Sequence, residues 1–124
     1  MPAIALVTDL IFSTKITGTA KALSVALVVV RSLEALQSRL DEGGPSPLVI
    51  IDLNAASVDP IAAIGLAKSH PSGPGVVAYL SHVQTELAAA ARSAGADQVL
   101  PRSAFVAQLA ALLQQAAAPP NGTR

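Results

Sequence analysis

Five short apolar runs constrain this chain more than any other feature: "AIALVT" (3–8), "ALVVV" (26–30), "LVIID" (48–52), "GVVAYLS" (75–81) and "QVL" (98–100). Successive side chains of a strand point to opposite faces, so a run that is apolar throughout must be covered on both. Strands of that kind belong in a parallel sheet between layers of helix. The intervening segments carry helical spacing. Phe12, Ile16, Ala20 and Leu23 share one face, as do Leu33, Leu36 and Leu40, and then Ile61, Ile64 and Ala67.

The punctuation agrees with this division. Asp59-Pro60 is a cap followed by a first-turn proline. "QTELAAAARSAGAD" is alanine-rich and meets a C′ glycine at Gly95. Ser103 reads as the cap of a last helix running through Phe105, Val106, Leu109, Leu112 and Leu113. "DEGGPSP" and "SHPSGPG" supply turns where helices return to strands, with His70-Pro71 as a terminator. Right-handed crossovers through this order predict an α/β, three-layer flavodoxin-like sandwich: a five-stranded parallel sheet of order 2-1-3-4-5 with five helices. A single domain is expected over residues 1–118. The pattern fails in "AAAPPNGTR", so 119–124 is expected to be a disordered tail.

Composition narrows the function classes. At 124 residues, 52% hydrophobic and 13% charged, the chain can bury a core and is not a disordered segment. Eight basic and eight acidic residues cancel, which removes the basic footprint of a nucleic-acid binder. No cysteine is present, so disulfides and thiolate zinc sites are ruled out; His70 and His82 are too far apart in sequence to suggest a histidine-built metal site. Mean hydropathy is positive, +0.54, yet no run approaches the roughly 20 apolar residues that span a bilayer. The N-terminus does not read as a secretory signal, so the "NGT" sequon at 121–123 carries no weight and a cytoplasmic protein is expected.

In a doubly wound sheet, reactive groups gather beyond the carboxyl ends of the strands. Those ends are Thr8-Asp9, Arg31-Ser32, Asp52, Ser81-His82 and Pro101-Arg102. The ends of strands 1, 3, 4 and 5 are neighbours in the expected order. They set Asp9, Asp52, Ser81 and Arg102 along one rim. Plainer roles compete at each position: Asp52 as a turn acid, Asp9 as a first-turn cap, Ser81 as turn chemistry, Arg102 as a helix-start charge, His82 as a loop histidine.

"LVIIDLNAASVDP" (48–60), "VVAYLSHV" and "ARSAGADQVLPRSAF" together give the chain a resemblance to the receiver domain of two-component response regulators, over residues 3–115. The resemblance implies that Asp52 is a phosphoacceptor and that Asp9, Asp52 and the Asn54 carbonyl hold Mg2+. It also implies that the Ser81 hydroxyl follows the phosphoryl oxygens. Such chemistry needs positioned oxygens and charge neutralisation. Departures from the family pattern are plain. Thr8-Asp9 stands where two acids are usual. Arg102 replaces a lysine, with Pro101 before it rather than after. Val99 replaces an aromatic, and Tyr79 lies on the neighbouring strand. Lys15 is a candidate to place its ammonium in the acid pocket.

Implied partners are proteins, a histidine kinase or a downstream signalling protein, with a homodimer expected through the small-sided face of helix 4 and strand 5. No enzyme activity is expected beyond autophosphorylation from a phosphodonor. With an acid and the lysine missing, the expectation leans to a pseudo-receiver acting without phosphorylation. A different class of function is a flavodoxin-like binder of an anionic cofactor or nucleotide at a loop spanning Ser13–Thr19.

Overall fold

The computed structural model describes residues 3–43, 47–81 and 84–117. Strands and helices alternate: β1 Ala3–Leu6, α1 Leu10–Ala22, β2 Leu27–Val30, α2 Leu33–Glu42, β3 Leu48–Asp52, α3 Pro60–Ser69, β4 Gly75–Leu80, α4 Thr85–Ser93, β5 Gln98–Pro101 and α5 Arg102–Ala117. All strand pairings are parallel, in the order β2-β1-β3-β4-β5. This is the expected flavodoxin-like sandwich.

The period of two along each strand divides the core. Ile4, Leu6, Val49, Ile51, Val76 and Ala78 pack with Leu36, Leu40, Ile64 and Ala67 beneath α2 and α3. Ala5, Ile50, Val77 and Tyr79 pack on the other face with Phe12, Ile16, Phe105, Leu109 and Leu113 of α1 and α5. Central strands covered on both faces are apolar throughout because no position meets water.

The caps are local. Asp59 Oδ1 accepts from the N–H groups of Ile61 and Ala62 with Pro60 as first helical residue, and Ser32 Oγ accepts from Ala35 N–H. After α4, Gly95 takes φ +114, and a Cβ there would meet Lys68 Cγ at 2.8 Å. Glycine is required both by that conformation and by the close approach.

Several expected boundaries are corrected. β1 stops at Leu6 and β4 at Leu80, so Thr8 and Ser81 lie beyond their strands. The last helix starts at Arg102, directly after β5, so Ser103 sits inside its first turn rather than capping it. Leu23 is the C-cap of α1, half-buried, and not a full member of the helix face. His82, the sequon at 121–123 and the tail from 119 lie outside the described residues.

Candidate functional site

Asp52 closes β3 and is buried to 3% exposure. It follows Ile51 by one residue, so it turns to the face covered by α1 and α5. Its Oδ1 accepts from Asn54 N–H at 2.8 Å, an Asx turn that leads the chain into the β3–α3 loop. Burial pushes the Asp52 carboxyl above its ordinary range. Asn54 N–H and Arg102 pull the other way without cancelling that, and Asp9 adds to the rise.

Asp9 divides its two oxygens. Oδ1 caps α1, accepting from Ile11 and Phe12 N–H at 2.9 and 3.1 Å. Oδ2 faces Arg102 Nη2 at 3.9 Å. Asp9 thus caps α1 with one oxygen and stands on the rim beside Arg102 with the other. Arg102 lies over the Phe12 ring, its guanidinium carbon 4.4 Å from the centroid, and 6.0 Å from that of Tyr79. A planar, weakly hydrated cation suits such a seat, where an ammonium would not stack.

Beneath this seat lies an aromatic floor. Tyr79 stacks on Phe105 at 4.5 Å and leans on Phe12 at 5.1 Å. Tyr79 is paired with Asp52 in the sheet register, and is fully buried. Among the described residues its hydroxyl meets no hydrogen-bond partner, and neither does the buried Nε of Arg102. The phenol nonetheless feels the Asp52 carboxylate; burial first, and that charge second, push it far above its usual range. Val99 packs on the opposite face of the sheet, toward α4, so Tyr79 does not stand in for an aromatic there.

The β3–α3 loop is tied down by two residues whose parts the sequence did not reveal. Thr8 Oγ1, at the position where two acids are usual in the resembling family, accepts from Ala56 N–H at 2.8 Å. Gln84 Oε1 accepts from Asn54 Nδ2 at 2.8 Å. Asn54 Oδ1 in turn accepts from Ser81 N–H at 2.7 Å, so Ser81 joins the cluster through its backbone. Only sequence separations of 48, 30 and 27 residues link these pairs, and no local pattern signals them.

Two expectations fail. Lys15 lies exposed on α1 and forms no ion pair with Asp9 or Asp52; the cation of the pocket is Arg102. Ser13–Thr19 is not a loop but the middle of α1. Its hydroxyls turn to their own helix, Ser13 and Thr14 to Leu10 O, Thr17 to Thr14 O and Thr19 to Lys15 O. Back-bonding of that kind leaves no cradle for a phosphate.

Magnesium asks for near-octahedral oxygen ligation and tolerates little else. Here one Asp9 oxygen is committed to two N–H donors, its other oxygen faces a guanidinium, one Asp52 oxygen accepts an N–H, and Thr8 stands in place of an acid. Among the described residues no group of three His, Cys, Asp or Glu comes together to hold a metal ion. The rim thus offers two carboxylates already shared with N–H donors and a guanidinium, a weaker donor set for Mg2+ than uncommitted acids would be.

No protein-family model matches the sequence, and no curated protein matches it. Solved structures do match. The receiver domain of NtrX from Brucella abortus superposes with a TM-score of 0.78 at 15% identity, over 94% of this chain and 97% of that one. HP1043, an orphan response regulator of H. pylori, gives 0.70 at 19% identity, over 91% and 96%. The beryllofluoride-activated NtrC4 receiver domain dimer gives 0.72 at 13% identity, over 94% and 98%. Against the longer NtrX structures this chain spans about a quarter of the partner's length, 26% in one case. The chain thus has the fold of a response-regulator receiver domain, with an arginine seated among the acids at its strand ends.

Proposed function

We propose that this chain is a receiver-type signalling module that works through protein contacts and does not depend on phosphorylation. The observation that carries this reading is the position of Arg102. Its guanidinium sits on Phe12 and faces Asp9, and its charge bears on Asp52. A resident monovalent cation takes up charge that a divalent ion would otherwise neutralise, and it repels such an ion at close range. Asp52 keeps the place of a phosphoacceptor at the end of β3, while Asp9, Asn54 and Ser81 are held in hydrogen bonds that serve the loops.

A signalling protein is the expected partner, either a histidine kinase or a downstream target. Self-association through the alanine-rich α4 and the edge strand β5 belongs to the same reading, as do a cytoplasmic place and no turnover of its own.

Acetyl phosphate or beryllofluoride with magnesium tests the proposal, read by intact mass and by NMR beside Asp52→Asn. Expected is no phosphoryl mass gain and no shift at millimolar magnesium. Arg102→Ala should gain a magnesium response that the native chain lacks. A mass gain that needs both Asp52 and magnesium in the native chain overturns the proposal.

A further inference from the structure

Away from the rim, a hydroxyl, an imidazole and a carboxylate meet in series where α3 ends. His70 is the C-cap of that helix. Its Nε2 lies 2.9 Å from Asp41 Oδ1, near the end of α2, and its Nδ1 lies 2.7 Å from Ser72 Oγ. The bonds assign the tautomer. Ser72 N–H donates to Nδ1 at 3.1 Å, so that nitrogen carries the lone pair and the ring proton sits on Nε2, facing the carboxylate. The Ser72 hydroxyl is therefore a donor to Nδ1.

Each group is placed for a part in acyl transfer. The ring is held at both nitrogens, and its side chain is only 10% exposed. Asp41 also accepts from Gln37 Nε2 at 2.9 Å; the bonds from His70, and then from Gln37, hold its carboxyl below the usual range, so it stays ionised. Ser72 is half-buried in the turn, between Pro71 and Gly73, which are exposed. The space beside it is open, for a Cβ at Gly73 would meet nothing within 4 Å beyond the adjacent residues. Ending α3 needs only the bond from His70 N–H to Ala67 O. A carboxylate from another helix on the far ring nitrogen is no part of that task.

We propose that Ser72 is an acylation site, a serine nucleophile with His70 as general base and Asp41 orienting the ring, which takes an acyl group from an activated ester. Ser72 Oγ bonds to the acyl carbon, its proton passes to His70 Nδ1, and the leaving group departs with the electron pair of its bond to carbon. The imidazolium then gives that proton to the departed group, and Asp41 offsets the ring's charge in between. The N–H groups of His70, Ser72 and Gly73 are already engaged, and Pro71 has none, so the turn itself supplies no oxyanion donor. Only a donor with a good leaving group reacts, and the serine ester that forms persists. Ser72 is thus modified once, without turnover.

p-Nitrophenyl acetate has such a leaving group and carries no phosphoryl group, so its reaction is independent of the chemistry at Asp52. With the full chain it should add one acetyl group by intact mass, mapped to Ser72 by peptide sequencing. Ser69, whose hydroxyl donates to Gly65 O at 2.7 Å, is the internal control and should stay unmodified. His70→Ala should slow acetylation of Ser72 about 100-fold, Asp41→Ala should slow it by a smaller factor, and Ser72→Ala should remove the label. Should His70→Ala fail to fold, Asp41→Ala, which alters an exposed residue, and the comparison with Ser69 decide the matter. The proposal is overturned if Ser72 gains acetyl no faster than Ser69, if the label survives Ser72→Ala, or if the rate is unchanged by His70→Ala or by Asp41→Ala.

Discussion

At the amino-terminal edge of the sheet, Asp97 Oδ2 accepts from Val76 N–H at 2.8 Å and from Lys68 Nζ at 3.1 Å, and the same ammonium donates to Pro74 O at 3.2 Å. At the carboxyl edge, Asp9 and Arg102 stand 3.9 Å apart, and Tyr79 Oη and Arg102 Nε are buried without partners among the described residues. Burial tends to raise both Asp97 and Asp52. At Asp97 the Val76 N–H and Lys68 outweigh it and hold the carboxyl below its usual range. At Asp52 burial prevails and the carboxyl is raised. One edge is satisfied and serves stability. The other leaves polar atoms under-satisfied, as sites do when shaped for something other than stability.

The largest effect should come from the floor beneath the rim. Phe105 is fully buried and stacks on Tyr79, so Phe105→Ala should lower unfolding free energy by about 3–5 kcal/mol in urea titration. A loss under 1 kcal/mol would mean that the aromatic floor does not hold the rim, and the contrast between the edges would lose its basis.

Next in size, the two carboxylates should respond oppositely to substitution. Asp97→Ala strands the N–H of fully buried Val76 and should cost about 1–3 kcal/mol, toward the lower end because Asp97 itself is half exposed. Asp52→Asn should instead raise the urea midpoint at neutral pH, since the folded state disfavours that charge.

The pH dependence sharpens the same contrast. A raised carboxyl binds its proton more readily in the folded chain, so its contribution improves as pH falls from neutrality toward the ordinary carboxyl value of 3.8. A lowered one stabilises above 3.8 and loses that contribution as pH falls through its folded value. Acid titrations of Asp52→Asn and Asp97→Asn should therefore differ from the native curve with opposite sign; curves of equal sign would contradict the assignment. The smallest effect belongs to Arg39 and Glu42, an exposed pair at 3.5 Å on α2. Removing it should change stability by about 0–1 kcal/mol, and 1 M salt should erase even that.

Local chemistry in the chain is enough to determine its elements. Continuous apolar runs, Asp59-Pro60, and Gly95 after an alanine-rich stretch each state a strand, a start or a stop, because periodicity and turn preference act over a few residues. The rim was legible too, since strand order brings the ends of β1, β3, β4 and β5 together. Ser103 misled because a serine after Pro101 has cap chemistry, but here the helix begins directly at Arg102. At "STKITGT" a loop reading competed with the helical spacing of Phe12, Ile16 and Ala20, and the helix prevails, absorbing those hydroxyls by back-bonding.

Which way each side chain turns was decided only by the assembled structure. Sequence alone places Asp9 and Arg102 at strand ends 93 residues apart; only packing lays the guanidinium on Phe12, gives Asp9 its second role and leaves Lys15 in solvent. Thr8 with Ala56, and Asn54 with Gln84, are likewise pairs made by the sheet. A hydrogen bond depends on tenths of an ångström and on angle, and a one-dimensional pattern carries neither.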